Sequence, residues 1–366
     1  MHIECVKEKL VYAISKAERV TSKNITLPVL SCILLEASES SLTIKATNLD
    51  LGIEISIPVK VIKPGKVAVS GSILNNFISN INNDKNLVLE EIGGNLKIST
   101  NHSDSVIKAF STEDFPNIPR ISDGKSFTFN SSSLIKGFKS VMYSSSSSTI
   151  RPVLSSIMVY PNEDDIVFVA TDSFRLSEKK INTKKHKDFT QILIPFKNIG
   201  EIIRIIEDIK TDININLNQN QISFSYEDMY LTSRVIDGNF PDYKQIIPKE
   251  FKTEVTILKQ DLLNSLKISN IFSDKFSQVV FNVIPKEKKL KINTKNPDIG
   301  ENTNAIDAVI KGDSLTISFN YKYIMDCFQS IDSDSVCLYF GDNTKPMVIE
   351  GVGDKSFTYL VMPMNK

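Results

Sequence analysis

One helix is written three times in this chain, and the repetition limits what it can fold into. Leu74, Phe77, Ile78 and Ile81 recur 125 residues later as Ile199, Ile202, Ile203 and Ile206, and 125 residues after that as Ile324, Cys327, Phe328 and Ile331. Each set has the i, i+3, i+4, i+7 spacing of a helix buried along one face. A second helix repeats with them. Leu10, Val11 and Ile14, in an expected helix from Lys7 to Ser22, return as Leu134, Ile135 and Phe138, then as Leu262, Leu263 and Leu266. Each of these follows a short alternating strand: Ile3-Glu4-Cys5, Phe127-Thr128-Phe129 and Val255-Thr256-Ile257. A period near 124 residues is far longer than a solenoid unit, so whole domains stand in tandem.

Smaller anchors keep the same register. Pro28-Val29-Leu30-Ser31 matches Pro152-Val153-Leu154-Ser155, and Ala46-Thr47 matches Ala170-Thr171, with Asn293-Thr294 in the third copy. Between them run short β-branched segments bounded by turn residues, among them Ile33-Leu34-Leu35, Leu42-Thr43-Ile44, Ile53 to Ile57 and Val67-Ala68-Val69. Leu87-Val88-Leu89 and Leu96-Lys97-Ile98 flank Gly93-Gly94, which reads as a hairpin turn and not as a phosphate cradle. Proline clusters close the units at Phe115-Pro116-Asn117-Ile118-Pro119 and from Phe240-Pro241 to Pro248. The expected fold class is α+β, with three similar domains at 1–120, 121–246 and 247–366, each holding two helices and antiparallel sheets.

Bulk properties narrow the function. The 366 residues, 41% hydrophobic and 23% charged, suit an ordinary globular protein. No apolar run approaches the roughly 20 residues that span a bilayer, and the start does not read as a signal peptide. Cys5, Cys32, Cys327 and Cys337 form no metal-ligand spacing and read as reduced core residues of a cytoplasmic protein. The three histidines, His2, His102 and His186, have no nucleophile or ligand context. The serine run from Ser144 to Ser148 reads as a flexible loop. No catalytic centre, metal or cofactor is expected. A formal net charge of zero argues against a protein that coats nucleic acid by global attraction. The basic residues are nearly all lysine, which lacks arginine's planar fork for base reading, so any DNA contact is expected to be sequence-independent.

Four segments then occur in order on the threefold repeat: Thr26-Leu27-Pro28-Val29-Leu30, Ala170-Thr171-Asp172-Ser173-Phe174-Arg175-Leu176, Asp237 to Tyr243, and Met362-Pro363-Met364. Together, and over the whole length, they resemble the bacterial sliding clamps, the beta subunits of DNA polymerase III. The resemblance implies a DNA clamp fold in which two chains close head to tail into a ring. It implies a processivity factor on double-stranded DNA, with the replicative polymerase, the clamp loader and other proteins as partners and no membrane contact. Those partners would dock by a short peptide in a cleft between the second and third domains. Carried over by position, the cleft comprises Arg151, Leu154, Thr171, Ser173, Phe174, Arg175, Leu176, Pro241, Gln245, Ile246, Pro346, Val361, Met362 and Met364. Ser173-Phe174 stands where many relatives have Gly-His, Gln245 replaces a frequent arginine, and Phe174 is bulky enough to reshape the pocket.

Candidates facing DNA are Lys16, Arg19 and Lys23, clustered by i, i+3, i+7 spacing, with Lys136 and Lys139 from helical position and Lys197 and Arg204 from the resemblance. The ring junction of the homodimer would use Phe77 and Ile78 from domain 1 against Ile271 and Phe272 from domain 3. By periodicity Phe77 and Ile78 are equally core positions. The competing reading is a three-domain peptide-binding scaffold that never encircles DNA.

Overall fold

The computed structural model describes residues 1–22, 26–82, 84–183 and 189–364. Among them are six α-helices: α1 (Lys7–Glu18), α2 (Gly71–Ser79), α3 (Ser131–Val141), α4 (Phe196–Ile206), α5 (Lys259–Ile271) and α6 (Tyr321–Cys327). Every helix starts directly after a strand. Most of the repeated apolar positions are buried, while Val11, Phe77, Ile81, Ile135 and Leu263 are half-buried. Leu10, Ile14, Leu74, Ile199, Ile202, Leu262, Leu266 and Ile324 are fully shielded from solvent. Each such side chain contributes about 1.5–3 kcal/mol by leaving water.

Two helix ends differ from the sequence expectation. α1 stops at Glu18, not Ser22, because Val20 and Thr21 turn back with N–H donors to the Ala17 and Glu18 carbonyls at 3.1 and 3.0 Å. The Thr21 hydroxyl donates to the same Glu18 carbonyl at 2.7 Å and blocks another turn. In the third copy α6 ends at Cys327 and Phe328–Ser330 tightens into a 3₁₀ turn, so Phe328 and Ile331 reach the core from outside the α-helix.

The described residues divide into two compact units that do not follow the sequence repeats. Met1–Ser132 and Lys197–Val235 form one, and Ser133–Phe196 and Ile236–Lys366 the other, so the middle repeat contributes to both. Strand pairing across repeats is the cause. In the first unit thirteen strands make one sheet, and Leu51–Pro58 of repeat one pairs antiparallel with Met229–Arg234 of repeat two, Ile53 lying opposite Leu231. In the second unit, within a nine-stranded sheet, Arg175–Asn182 pairs with Phe357–Val361 in the same way, Ser177 opposite Tyr359.

The third equivalent strand, Gly300–Asp307, is the outer strand of a four-stranded sheet and pairs on one side only, with Lys289–Asn296. In the first repeat, Asp104–Phe110 corresponds to Met229–Arg234 and Phe357–Val361. It pairs with Asn95–Ser99 through residues 104–108, and only Ala109 and Phe110 meet a second strand. Its other edge is therefore open over residues 104–108 among the described residues.

Local expectations hold at the hairpin and the cysteines. Gly93 and Gly94 both adopt left-handed backbone (φ 57° and 76°) between the strands Asn86–Ile92 and Asn95–Ser99, the pairing a two-residue turn requires. All four cysteines are free and buried, and burial pushes the Cys5 thiol up to about 12. The serine run is not a loose loop throughout. Ser144 is fully buried, 2.5 Å from the Ser177 hydroxyl, and Ser145 is also buried.

Candidate functional site

The segment Thr171–Arg175 is a rigid turn built by its own side chains. The Thr171 hydroxyl donates to the Arg175 carbonyl at 2.7 Å and accepts from the Ser173 N–H at 3.2 Å. Asp172 Oδ1 accepts from the Phe174 and Arg175 N–H groups at 2.9 and 3.0 Å. Ser173 is forced into left-handed backbone at φ 78°, where glycine carries no steric cost. The same device recurs 124 residues earlier. Thr47 donates to the Leu51 carbonyl at 3.0 Å, Asn48 accepts from Asp50 and Leu51, and Leu49 sits at φ 77°. Each turn launches the strand that joins one repeat to the next.

In the second unit this turn projects Phe174 outward, 59% exposed, with its ring stacked on Tyr323 of α6 at 6.4 Å and 20°. Arg175 is packed beneath it. Its Nε donates to Asp172 Oδ2 at 3.1 Å, an Nη donates to Asp326 of α6, and its guanidinium lies 4.6 Å from the Tyr323 ring centre. Burial alone would lower the Arg175 pKa, but Tyr359, Asp326 and Asp172 outweigh it and hold the group above its ordinary value. The C-terminal segment passes alongside. The Met362 N–H donates to the Phe174 carbonyl and the Met364 N–H to the Ser318 carbonyl, both at 2.8 Å.

Of the expected cleft residues, Arg151, Ser173, Phe174, Pro241, Gln245 and Ile246 are exposed, and Arg175, Met362 and Met364 are half-buried. Leu154, Thr171 and Leu176 keep only 8%, 6% and 3% of their surface open. Two expectations need correction. Val361 is wholly buried in the third repeat's core, because alternation along Phe357–Val361 turns it inward, and Pro346 is also buried. Neither presents a surface to a ligand.

Among the basic candidates, Arg19, Lys139, Lys197 and Arg204 are exposed, Arg204 in a pair with Glu201 at 2.6 Å. Lys136 is half-exposed and pairs with Asp332 at 2.7 Å. Lys16 is a correction. Only 7% of its side chain is open, and its ammonium donates to Asp208 at 2.7 Å and to the Ile205 carbonyl. It fastens α1 to the end of α4 and has no free charge to offer. Lys23 lies outside the described residues.

The junction candidates divide as well. Ile78 is 1% exposed and belongs to the core, a correction. Phe77 is half-buried and, with Ile81, Asn80 and His102, lines an open depression. Ile271 is 63% exposed beside the half-buried Phe272. Sequence reasoning missed Ile73 and Val106 in the first repeat and Ile268, Phe276 and Ile299 in the third, all exposed apolar side chains. Val106 carried a usable signal. An apolar residue standing outward next to inward Ile107 breaks the apolar-in, polar-out alternation of its strand.

Among the described residues, no group of three or more His, Cys, Asp or Glu is arranged to hold a metal. No described helix is long and apolar enough to cross a membrane. What the fold and site define is a repeat protein joined edge to edge, with Phe174, Pro241 and Ile246 exposed and Met362 and Met364 half-buried in the second unit. Three definitions of the same family match in series: DNA polymerase III beta subunit, N-terminal domain, over residues 1–119; central domain, over 128–242; and C-terminal domain, over 244–365. The chain belongs to the DNA polymerase III beta subunit family, with three tandem domains of the clamp fold. It is 27% identical over 371 residues to the beta sliding clamp of Synechococcus elongatus, covering 100% of this chain and 99% of that one. It is 25% identical over 374 residues to that of Staphylococcus aureus, with the same coverage. The sliding clamp structure from Bacillus subtilis superposes with a TM-score of 0.95 at 22% identity, covering 100% of this chain and 99% of that one.

Proposed function

We propose that this chain is a DNA polymerase processivity factor that works as a closed ring of two copies. One observation carries the reading. The same strand joint is made twice inside the chain, and a third copy of each half of that joint, Gly300–Asp307 and Asp104–Phe110, has an edge left over. Pairing the third repeat of one copy with the first of another satisfies both edges, and a head-to-tail contact of suitable rotation closes. Ile268 and Ile271 of α5, with Phe272 just beyond it, then meet Ile73, Phe77 and Ile81 of the partner's α2 region. Inside the chain the corresponding helices are α1 with α4.

The domains 1–120, 121–246 and 247–366 supply six similar segments to such a ring. It holds duplex DNA by topology, so weak contacts from Arg19, Lys139, Lys197 and Arg204 suffice. Net neutrality then follows from the need to slide. A groove around Phe174, Pro241, Ile246, Met362 and Met364, with Leu176 buried beneath it, takes a short peptide with aliphatic and aromatic anchors. By that peptide the replicative polymerase, the clamp loader and other partners are tethered in the cytoplasm. Methionine and leucine adapt to several partners, which suits a shared dock. The chain itself performs no catalysis and needs no cofactor.

Sedimentation equilibrium tests the ring. The expected result is twice the 41.0 kDa chain mass, reduced to a single chain by Ile271→Asp, with a central hole in electron micrographs of the wild type. A monomeric wild type that still binds partner peptides would sink the ring and leave the scaffold. The scaffold has one observation in its favour, that Lys16, Lys136 and Arg204 are each held by an acidic neighbour.

A further inference from the structure

The arginine in the groove has no charge left to spend on a ligand. Arg175 has 12% of its side chain exposed, Asp172 holds its Nε and Asp326 an Nη, and the Tyr323 ring covers its guanidinium face. Of the two carboxylates, Asp172 belongs to the turn itself and is committed to the Phe174 and Arg175 N–H groups. Asp326 comes from a different element, α6, and its side chain is 42% exposed. Phe174, stacked over the same Tyr323 ring, offers the open apolar surface at this spot.

We propose that Asp326 is a positioning residue that saturates Arg175, so that the groove selects its peptide by apolar and aromatic contact with Phe174 and Tyr323 and not by pairing with a carboxylate. The inference rests on the docking reading given above. Its chemistry follows from the arrangement. A guanidinium already bound by two carboxylates gains little from a third, which would bring an excess negative charge into a half-buried site. An aromatic pair presents a flat face to leucine or phenylalanine side chains.

The test uses the full chain and two labelled hexapeptides in fluorescence polarisation. Both carry a leucine pair and a phenylalanine, and they differ only in having aspartate or asparagine beside the leucines. The wild type should bind the two within about twofold of each other. Asp326→Asn, which keeps the shape but removes the charge, should favour the aspartate peptide by about fivefold, and Asp326→Glu should restore parity. Phe174→Gly should weaken both peptides equally. A wild type that already prefers the aspartate peptide about fivefold, or an Asp326→Asn protein with an unchanged ratio, overturns the proposal. A second readout needs no peptide: labelling by phenylglyoxal, located by mass spectrometry. Arg175 should be protected in the wild type and react in Asp326→Gly, which removes both the acceptor and the covering side chain, while the exposed Arg151 reacts in both. Equal labelling of Arg175 and Arg151 in the wild type overturns the positioning role. If neither peptide binds while Arg175 stays protected, the docking reading fails and takes the selectivity with it, and the positioning role stands.

Discussion

Replacing Lys16 by methionine separates a structural lysine from a DNA-facing one. Methionine keeps most of the apolar stem, so the loss is the ammonium and its two bonds. The first bond goes to the Ile205 carbonyl near the end of α4, and a buried carbonyl left without a donor costs about 1–3 kcal/mol. The second goes to Asp208, which is 47% exposed and regains water, so that pair counts as a surface one of about 0–1 kcal/mol. Lys16→Met should therefore destabilise the fold by about 2 kcal/mol, read as a lower urea midpoint. Its effect on DNA should be nil. The slope of log affinity against log salt on a short linear duplex should match wild type. Arg19→Ala, one turn further along and exposed, should lower that slope by about 0.9 for each phosphate the guanidinium neutralises, with little change in stability. If Lys16→Met lowers the slope as Arg19→Ala does and leaves unfolding untouched, the burial argument is wrong.

Three further outcomes follow from the same geometry. Leu49 and Ser173 occupy twin left-handed positions, so Leu49→Gly and Ser173→Gly should each leave stability unchanged or raise it by up to about 1 kcal/mol in urea unfolding; a clear loss would mean the side chains stabilise their turns. Gly137 lies within α3 with its missing Cβ aimed at the buried Phe168 ring, 2.5 Å from the nearest ring atom. Gly137→Ala should thus cost about 1 kcal/mol, overpacking of about 1–3 outweighing a helix gain of about 1, and a stabilised variant would refute the contact. Burial and then the Asp208 carboxylate push the Tyr12 hydroxyl up to about 12, above the usual value near 10 for an unfolded chain. Folding keeps that proton, so its contribution is whole below pH 10 and is lost as pH rises from 10 to 12. The urea midpoint should fall less over that range in Tyr12→Phe than in wild type, and equal falls would exclude Tyr12 as a source.

Much of the fold was legible because helix burial and strand alternation are local. The spacing of Ile199, Ile202, Ile203 and Ile206 states which face is inward, and all four are buried. What escaped were facts set by distant partners. Lys16 looks like a solvated face position until Asp208 and Ile205 arrive from a segment about 190 residues further along. The ends of α1 and α6 depend on single turn residues whose backbone bonds compete with one more helical turn, which periodicity cannot register. In the segment Thr171 to Leu176 the sequence does not show how the charge of Arg175 is spent, because Asp326 carries no signature until α6 is packed. Val361 was misassigned for a related reason. Leu360 and Val361 face opposite sides of their strand yet both are buried, because a different core cluster covers each face, and a short apolar run near the end of the chain does not disclose that.

The repeat also explains why one joint would differ from the other two. Within the chain, each joint carries a lysine of a repeat's first helix paired with an aspartate just beyond the next repeat's second helix: Lys16 with Asp208, and Lys136 with Asp332. At the third joint the matching places on α5 are Asn264 and Ile268, and the segment after α2 offers Asn82. No lysine–aspartate clamp could form there from these positions, and in the proposed dimer Ile268, Ile271 and Phe77 would stand in its place. Apolar contact does not weaken with added salt, whereas exposed ion pairs are screened. The proposed dimer should therefore persist from low salt to about 0.5 M sodium chloride, where the Debye length is well under 10 Å. Dissociation constants from dilution at the two salt levels provide the measurement. A dimer that falls apart as salt rises would show that charge closes the third joint, and would remove the substitution of isoleucine for the clamp as its explanation.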